Sequence, residues 1–255
     1  MATSLFDLTG RVALVTGSGQ GIGLALARGL ASAGATIVLN DIVPHRLDKA
    51  VGGCRAEGIA AHASLFDVTD PEQVAAAVAQ VEETVGPIEI LVNNAGLQIR
   101  APLEEFSIES WDKLMAVNVK GVFVVSQAVA RRMIPRGHGK IISISSVQSE
   151  LARPSIAAYT ATKGAVKNLV KGMCTDWAQY GIQCNGIGPG YFITEMTRAL
   201  ADDPTFDAWL KNRTPAHRWG DVSELVGAAV FLASEASSFV NGQMLYVDGG
   251  LLASL

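Results

Sequence analysis

Only three cysteines occur in the 255 residues, Cys54, Cys174 and Cys184, and no two of them form a C-x-x-C pair. That argues against a disulfide framework or a cysteine zinc site and reads as small core thiols in a reducing compartment. Charge is also sparse: Asp, Glu, Lys and Arg make up 17% of the chain, and the net charge is -4. With no basic stripe, a nucleic-acid backbone is not an expected partner. The opening Met-Ala-Thr-Ser-Leu-Phe-Asp lacks a basic region followed by an apolar stretch, so no signal peptide is expected. No run approaches the roughly 18 apolar residues of a membrane span. No internal repeat, low-complexity tract or linker interrupts the chain. The expectation is a soluble, cytoplasmic single domain long enough to bury a large core.

What the chain has in quantity is alanine, valine and glycine, arranged as short apolar runs that alternate with longer helical patterns. The strand candidates are Val12–Thr16, Thr36–Asn40, Ala60–Leu65, Ile88–Val92, Lys140–Ser145, Gln183–Ile187 and Met244–Val247. Such alternation implies right-handed βαβ crossovers, hence an α/β, doubly wound (Rossmann) fold. It predicts a seven-stranded parallel sheet with helices on both faces. Helix starts are marked at Asp70-Pro71-Glu72-Gln73 and Asp221-Val-Ser-Glu224, where an N-cap acid stands three residues before a Gln or Glu.

The first strand runs into Thr16-Gly17-Ser18-Gly-Gln20-Gly21-Ile22-Gly23 and then a helix over Leu24–Ala33. Glycines in that place permit a tight turn and let backbone N–H groups approach a pyrophosphate at the helix N-terminus. The spacing departs from G-x-G-x-x-G, but the strand-turn-helix context is the one the motif requires. The second strand ends at Asp41, eighteen residues after Gly23. An acid there can accept from an adenine ribose and would repel a 2′-phosphate, or it can cap the following turn. Gln20 stands in the glycine turn and no arginine follows Asp41 until Arg46, which favours NAD over NADP. Asp67-Val68 ends the third strand, where the carboxylate can meet an adenine amine or cap a turn. Asn93-Asn94-Ala95-Gly96 follows the fourth strand and can line a cofactor or turn the chain.

Tyr159 and Lys163 stand four apart on a predicted helix, with Ser146 upstream. Residues so spaced share a face with their Cβ atoms about 6 Å apart. An ammonium beside a phenol favours the phenolate, lowering a pKa that starts near ~10, so the tyrosine can exchange a proton with an alcohol. The bland alternative is a half-buried ring beside a solvated charge. Asn118, in an apolar helix after Trp111, needs partners wherever it is buried, and is therefore structural glue or a site residue.

The Thr-Gly-x-x-x-Gly-x-Gly turn, the Asn-Asn-Ala-Gly tetrad, and Ser146 with Tyr159 and Lys163 together resemble the short-chain dehydrogenase/reductase family over essentially the whole chain. The resemblance implies a catalytic set of Asn118, Ser146, Tyr159 and Lys163. In it, Asn118 holds a water beside the lysine, and Lys163 also holds the nicotinamide ribose. It implies a cofactor site of Gly17, Ser18, Gln20, Gly21, Ile22, Asp41, Ile42, Asp67, Val68, Asn94, Ala95, Gly96, Tyr159, Lys163, Pro189, Gly190 and Thr194. It also implies a homotetramer paired through helices near residues 108–132 and 155–179. Family members that only sense a nucleotide typically lose the tyrosine or lysine, and this chain keeps both.

Later stretches are similar to those members of the family that act on gluconate and its 5-keto form. These are Val147-Gln-Ser-Glu-Leu-Ala, Gly188-Pro-Gly-Tyr-Phe-Ile-Thr, Thr214-Pro-Ala-His-Arg-Trp-Gly, Ser238-Phe-Val-Asn-Gly-Gln, and Gln98 with Arg100. One departure is Ile99, where such relatives commonly carry a first arginine. Sugar-alcohol, hydroxysteroid and 3-oxoacyl thioester substrates are the alternatives. On the residues alone, Arg100 can clamp a carboxylate by two parallel hydrogen bonds, or be a solvated loop cation or part of an intersubunit ion pair. Gln148 and Glu150 can hydrogen-bond substrate hydroxyls beside Ser146 and Tyr159. A lone Glu150 is a poor metal signal, and no metal site is expected. His45 and His217 read as surface or cap residues. The polar stretch 191–215, with Pro204, reads as a lid of two short helices.

Overall fold

Seven short apolar runs form strands: β1 Val12–Val15, β2 Thr36–Asp41, β3 Ala61–Leu65, β4 Ile88–Asn93, β5 Gly139–Ile144, β6 Ile182–Pro189 and β7 Met244–Val247. The computed structural model describes residues 3–254. All neighbouring strands pair in parallel, in the order β3-β2-β1-β4-β5-β6-β7. The chain winds outward from β1 to β3, then returns to the other side of β1 as β4. The crevice beyond the carboxyl ends of β1 and β4 is therefore the topological switch point, where ligands of such sheets bind.

Both sheet faces are apolar because strand residues alternate between two helix layers. Ala13, Val15, Ile37, Leu39, Ile90 and Val92 pack under α1 (Gly21–Ser32), α2 (Pro44–Ala56) and α9 (Val226–Ala233), meeting Leu26, Leu30, Leu47, Val51 and Leu232. Leu14, Val38, Leu91 and Ile141 pack on the other face. There they meet Val74 and Val78 of α3 (Pro71–Thr84), Val125 and Val129 of α5 (Gly121–Met133), and Val170 of α6 (Ala157–Trp177). α1 starts at Gly21, earlier than its apolar pattern, because the glycine turn itself supplies the first helical turn.

Both N-cap acids cap their helices, but only the second closes a capping box. Asp70 accepts from Glu72 N and Gln73 N. Gln73, however, sends its amide oxygen to Asp67 N at 3.1 Å, tying α3 to the end of β3. Asp221 and Glu224 form a reciprocal capping box. It opens a 3-10 turn, Val222–Leu225, that leads into α9.

One expectation needs correction. The helical stretch Ile108–Arg136 is 29 residues and, by length and composition, apolar enough to cross a membrane. Half of its most apolar window is buried inside the fold, the mark of a core helix. It comprises α4 (Ile108–Met115), a wide π-helical turn over Ala116–Lys120, and α5. Such turns cost regular hydrogen bonding and recur at functional sites, and this one carries Asn118. The stretch 191–215 holds two short helices as expected, α7 (Arg198–Ala201) and α8 (Pro204–Arg213).

Candidate active site

The glycine turn is shaped by close approach. Gly17 has φ 61, and a Cβ there would lie 2.7 Å from the Ala95 Cα. A Cβ on Gly23 would lie 2.4 Å from Asn94 Nδ2. The ends of β1 and β4 can close this tightly because Thr16 and Asn94 clasp one another. Thr16 Oγ1 accepts from Asn94 N at 3.0 Å and Ala95 N at 3.1 Å, while Asn94 Nδ2 donates to Thr16 O at 3.0 Å and Gly17 O at 2.9 Å. Asn94 and Ala95 thus build the cradle wall.

The first bond of the α1 ladder runs from Leu24 N to Gln20 O, and Gln20 makes no side-chain cap. The N–H groups of Gly21 and Ile22 therefore stand ahead of the ladder at the positive end of the helix, where a phosphate is favoured. A dinucleotide fits this cradle. Ser18 is a correction: its N–H donates to Asn40 O at 2.7 Å, its hydroxyl donates to Val15 O at 2.7 Å, and it is wholly buried. It shapes the turn and offers a phosphate nothing.

Asn40, named above only as part of a strand end, proves to be a hub. Its Oδ1 accepts from Gly17 N, and its Nδ2 donates to Ser64 O and Phe66 O. Asp41 beside it is buried at 5% exposure. Its Oδ2 lies directly under the glycine turn, 2.4 Å from where a Gly19 Cβ would be. Its Oδ1 accepts from Val43 N at 2.9 Å and from the Arg46 guanidinium at 3.0 Å. Arg46, which looked too far along the sequence to matter, is brought back by the first turn of α2 and pairs with Asp41.

Asp67 does cap a turn. Its Oδ1 accepts from Thr69 N and Oγ1, leaving Oδ2 for an adenine amine. Val68 packs against Gly121, where a Cβ would sit 2.8 Å from its Cγ2, so it braces α5. Ile42 is exposed beside Asp41. Pro189 ends β6, and Gly190 has no room for a side chain, since a Cβ would lie 2.7 Å from Asp248 Cα. Thr194 Oγ1 shares a hydrogen bond with Thr197 Oγ1 at the lid entrance.

At the ends of β4 and β5 the catalytic candidates converge. The π turn aims the buried Asn118 at Leu97, accepting from Leu97 N and donating to Leu97 O, each at 2.9 Å. Asn118 Nδ2 also donates to Thr162 Oγ1 at 3.1 Å, and that hydroxyl donates to Tyr159 O at 2.7 Å. Asn118 is thus a clamp between the loop after β4 and the tyrosine helix. A methyl on Gly96 would sit 3.4 Å from Asn118 Oδ1 and 3.8 Å from Lys163 Nζ, so all three meet at one point. Ser145 Oγ donates to Lys163 O, and Lys163 Nζ donates to Ile144 O at 2.9 Å and lies 5.6 Å from the Tyr159 ring centroid.

The electrostatics differ from the simple Tyr/Lys argument. Burial pushes the Tyr159 phenol up to about 12, while a hydrogen bond with Ser146 pulls it down. Burial pushes Lys163 down to about 8. Packing behind the pair outweighs any help the ammonium gives the phenolate. Oxidation, which starts from the phenolate, is therefore expected to accelerate with pH from neutral into the alkaline range. Reduction starts from the phenol and should change little over that range. Rate profiles in both directions check this; an oxidation rate independent of pH would contradict it.

Above the tyrosine, Ser146 Oγ accepts from Gln148 N at 3.1 Å, and Gln148 Nε2 donates to Tyr191 OH at 3.2 Å. The stretch 191–215 is less polar than its composition suggested: with Trp219 beyond it, it forms a cluster of Tyr191, Phe206, Trp209 and Trp219, the Tyr191 ring 5.6 Å from Phe206, 6.4 Å from Trp209 and 5.9 Å from Trp219. The Phe206/Trp209 spacing of three residues on α8 was the available signal. His217 lies at φ 53 with Nδ1 2.9 Å from Lys211 O, a cap as expected.

Arg100 lies at the rim, its Nε and one terminal nitrogen donating to Gln98 Oε1 at 3.1 and 2.9 Å. Glu150 Oε1 is engaged by Lys167 and Tyr246, so Oε2 is the oxygen left for a substrate hydroxyl. Among the described residues no group of three His, Cys, Asp or Glu side chains could hold a metal ion. Tyr191, Arg153, Asn40 and Arg46 are the site neighbours that sequence reasoning missed.

A pyrophosphate cradle at the switch point of a parallel sheet, opening onto a tyrosine that shares a helix face with a buried lysine, defines an NAD(P)-dependent oxidoreductase acting on an alcohol or ketone. The chain belongs to the short-chain dehydrogenase/reductase family. The family model described as enoyl-(acyl carrier protein) reductase matches residues 17–252. The chain is 63% identical to the gluconate 5-dehydrogenase of Gluconobacter oxydans (strain 621H) over 251 residues, 98% of each chain. It is 55% identical to the 5-keto-D-gluconate 5-reductase of Escherichia coli (strain K12), over 98% of this chain and 99% of that one. The crystal structure of a gluconate 5-dehydrogenase from Burkholderia cenocepacia J2315, in complex with NADP and tartrate, superposes with a TM-score of 0.97. It is 62% identical and covers 100% of both chains.

Proposed function

We propose that this protein interconverts D-gluconate and 5-keto-D-gluconate. The observation that carries the reading is the guanidinium of Arg100, on the loop after β4 near Tyr191, which makes no ion pair among the described residues. A cation in such a place suits a substrate with a carboxylate at the end away from the reacting carbon. The activities named for the Gluconobacter and Escherichia relatives, and the tartrate held by the Burkholderia neighbour, support the same hydroxy-acid class.

When bound, the nicotinamide supplies the hydride acceptor or donor. Tyr159 takes the hydroxyl proton in oxidation and returns it in reduction. Ser146 orients the reacting oxygen and stabilises developing charge, a role worth ~2.7–4 kcal/mol in oxyanion-type sites. Lys163 brings positive charge beside the phenol and the ribose. Because the Asn118 amide is engaged with Leu97 and Thr162, a water beside Lys163 would be held by the backbone of the wide turn. The aromatic lid excludes bulk water. Initial rates with gluconate, sorbitol and galactitol test the assignment: gluconate is expected to lead by kcat/KM, and a neutral polyol in the lead would overturn it.

Asp41 under the glycine turn supports NAD as the preferred cofactor, through hydrogen bonding to the adenine ribose. The second reading is NADP, supported by Arg46 on Asp41 and by the NADP in the Burkholderia neighbour. Side-by-side kcat/KM with both cofactors decides. The NAD reading predicts that Asp41→Ala lowers NAD efficiency and raises that of NADP; a wild-type preference for NADP would reject it.

A homotetramer is supported by an apolar groove between α4–α5 and α6, lined by Met115, Ala116, Val119, Phe123, Ala165 and Leu169. Exposed Ile108 and Trp111 stand on α4. Light scattering should give four times 26.7 kDa. The unpaired thiols of Cys54, Cys174 and Cys184 fit a cytoplasmic setting.

A further inference from the structure

We propose that Arg153 is the second half of a two-guanidinium seat that receives the substrate carboxylate together with Arg100; this rests on the sugar-acid reading above. Arg153 stands on the loop between Ser146 and α6. That loop is fastened to the loop of Arg100, since Ala101 N donates to Ser155 O at 3.2 Å. Ser155 takes φ 67, a left-handed conformation that L residues adopt at a cost, so the loop junction is held in a specific turn. The two cations are close enough to act on each other: burial first, and then the Arg153 charge, lower the Arg100 pKa from its ordinary value.

Neither guanidinium has a carboxylate partner among the described residues. Arg153 Nε is buried with no hydrogen-bond acceptor. Two like charges placed together without an anion repel, and a buried donor left unmade is costly. A carboxylate between them relieves both penalties, and two planar forks suit its two oxygens.

The surroundings place this seat at the substrate. The Arg153 guanidinium lies 5.3 Å from the Phe206 ring centroid, and Phe206 packs on Tyr191. Tyr191 OH receives Gln148 Nε2, and Gln148 Oε1 is buried without a donor. The site thus presents an unsatisfied acceptor, suited to a substrate hydroxyl, beside two cations that have no carboxylate partner among the described residues. Because Arg153 also touches the lid through Phe206, closing the lid over the substrate and seating its carboxylate engage the same side chain.

The test is calorimetric titration of D-gluconate, and separately of sorbitol, into the enzyme loaded with reduced cofactor, so that binding is read without turnover. Arg153→Gln is expected to weaken gluconate by about 30-fold and leave sorbitol unchanged. Arg153→Lys, which keeps the charge and loses the fork, should weaken gluconate by about fivefold. The proposal is overturned if Arg153→Gln shifts both ligands equally, or if wild-type protein binds gluconate no more tightly than sorbitol. Should Arg153→Gln fail to fold, the lysine variant decides by the same comparison. Gluconate binding that depends on Arg153 without any gluconate oxidation would keep the seat and reject the proposed reaction. Oxidation of gluconate with binding indifferent to Arg153 would do the reverse.

Discussion

Tyr159→Phe is expected to bind NAD(P) normally and to lose turnover by about 10²- to 10⁴-fold, the range of a positioned acid-base group. Phenylalanine keeps the ring, with Lys163 Nζ 5.6 Å from its centroid. The backbone carbonyl that anchors Thr162, and through it Asn118, is also untouched. The hydroxyl alone disappears, and with it the phenol hydrogen-bonded to Ser146. Cofactor fluorescence titration and steady-state rates separate the two effects. Turnover within a few-fold of wild type would mean that another group moves the proton.

Gly17→Ala is the second large effect. The residue sits at φ 61, where a Cβ costs roughly 1–2 kcal/mol by itself. The added methyl would also meet the Ala95 Cα at 2.7 Å, and backbone cannot swing aside as a side chain can. The ends of β1 and β4 must separate, opening the Thr16–Asn94 clasp. Cofactor dissociation constants should rise at least about 100-fold, and the thermal midpoint should fall. Gly21 is the internal control. It also has positive φ, 57, but a Cβ there meets nothing within 4 Å. Gly21→Asn, a residue that tolerates that conformation, should change the midpoint far less. Equal losses at both positions would show that conformation, and not close approach, governs the turn.

These contrasts show what a linear reading can reach. The parallel sheet was legible because each strand carries its own apolar run, and the strand ends fell within two residues of the expected ones. The glycine turn, Asp41, Asn94 and Ser146 stood out as residue types at the ends of strands, and Asn118, Tyr159 and Lys163 as polar residues on helices that the structure brings together there. What stayed hidden depends on distance through space. Arg46 pairs with Asp41 because α2 turns back, and the loops of Arg153 and Arg100 are joined by a backbone hydrogen bond between Ala101 and Ser155. Ser18 looked like a phosphate donor, yet its N–H and hydroxyl both point inward. The lysine argument for Tyr159 also missed burial, a three-dimensional quantity that pushes the phenol the opposite way.

Oxidation of gluconate at C5 by Tyr159 and its neighbours is tested most directly by identifying the product by nuclear magnetic resonance. Wild-type protein incubated with D-gluconate and oxidised cofactor should yield a carbonyl carbon at C5, with one equivalent of reduced nicotinamide formed per ketone. A carbonyl at another carbon, or no ketone from gluconate while a neutral polyol is oxidised, would contradict the account.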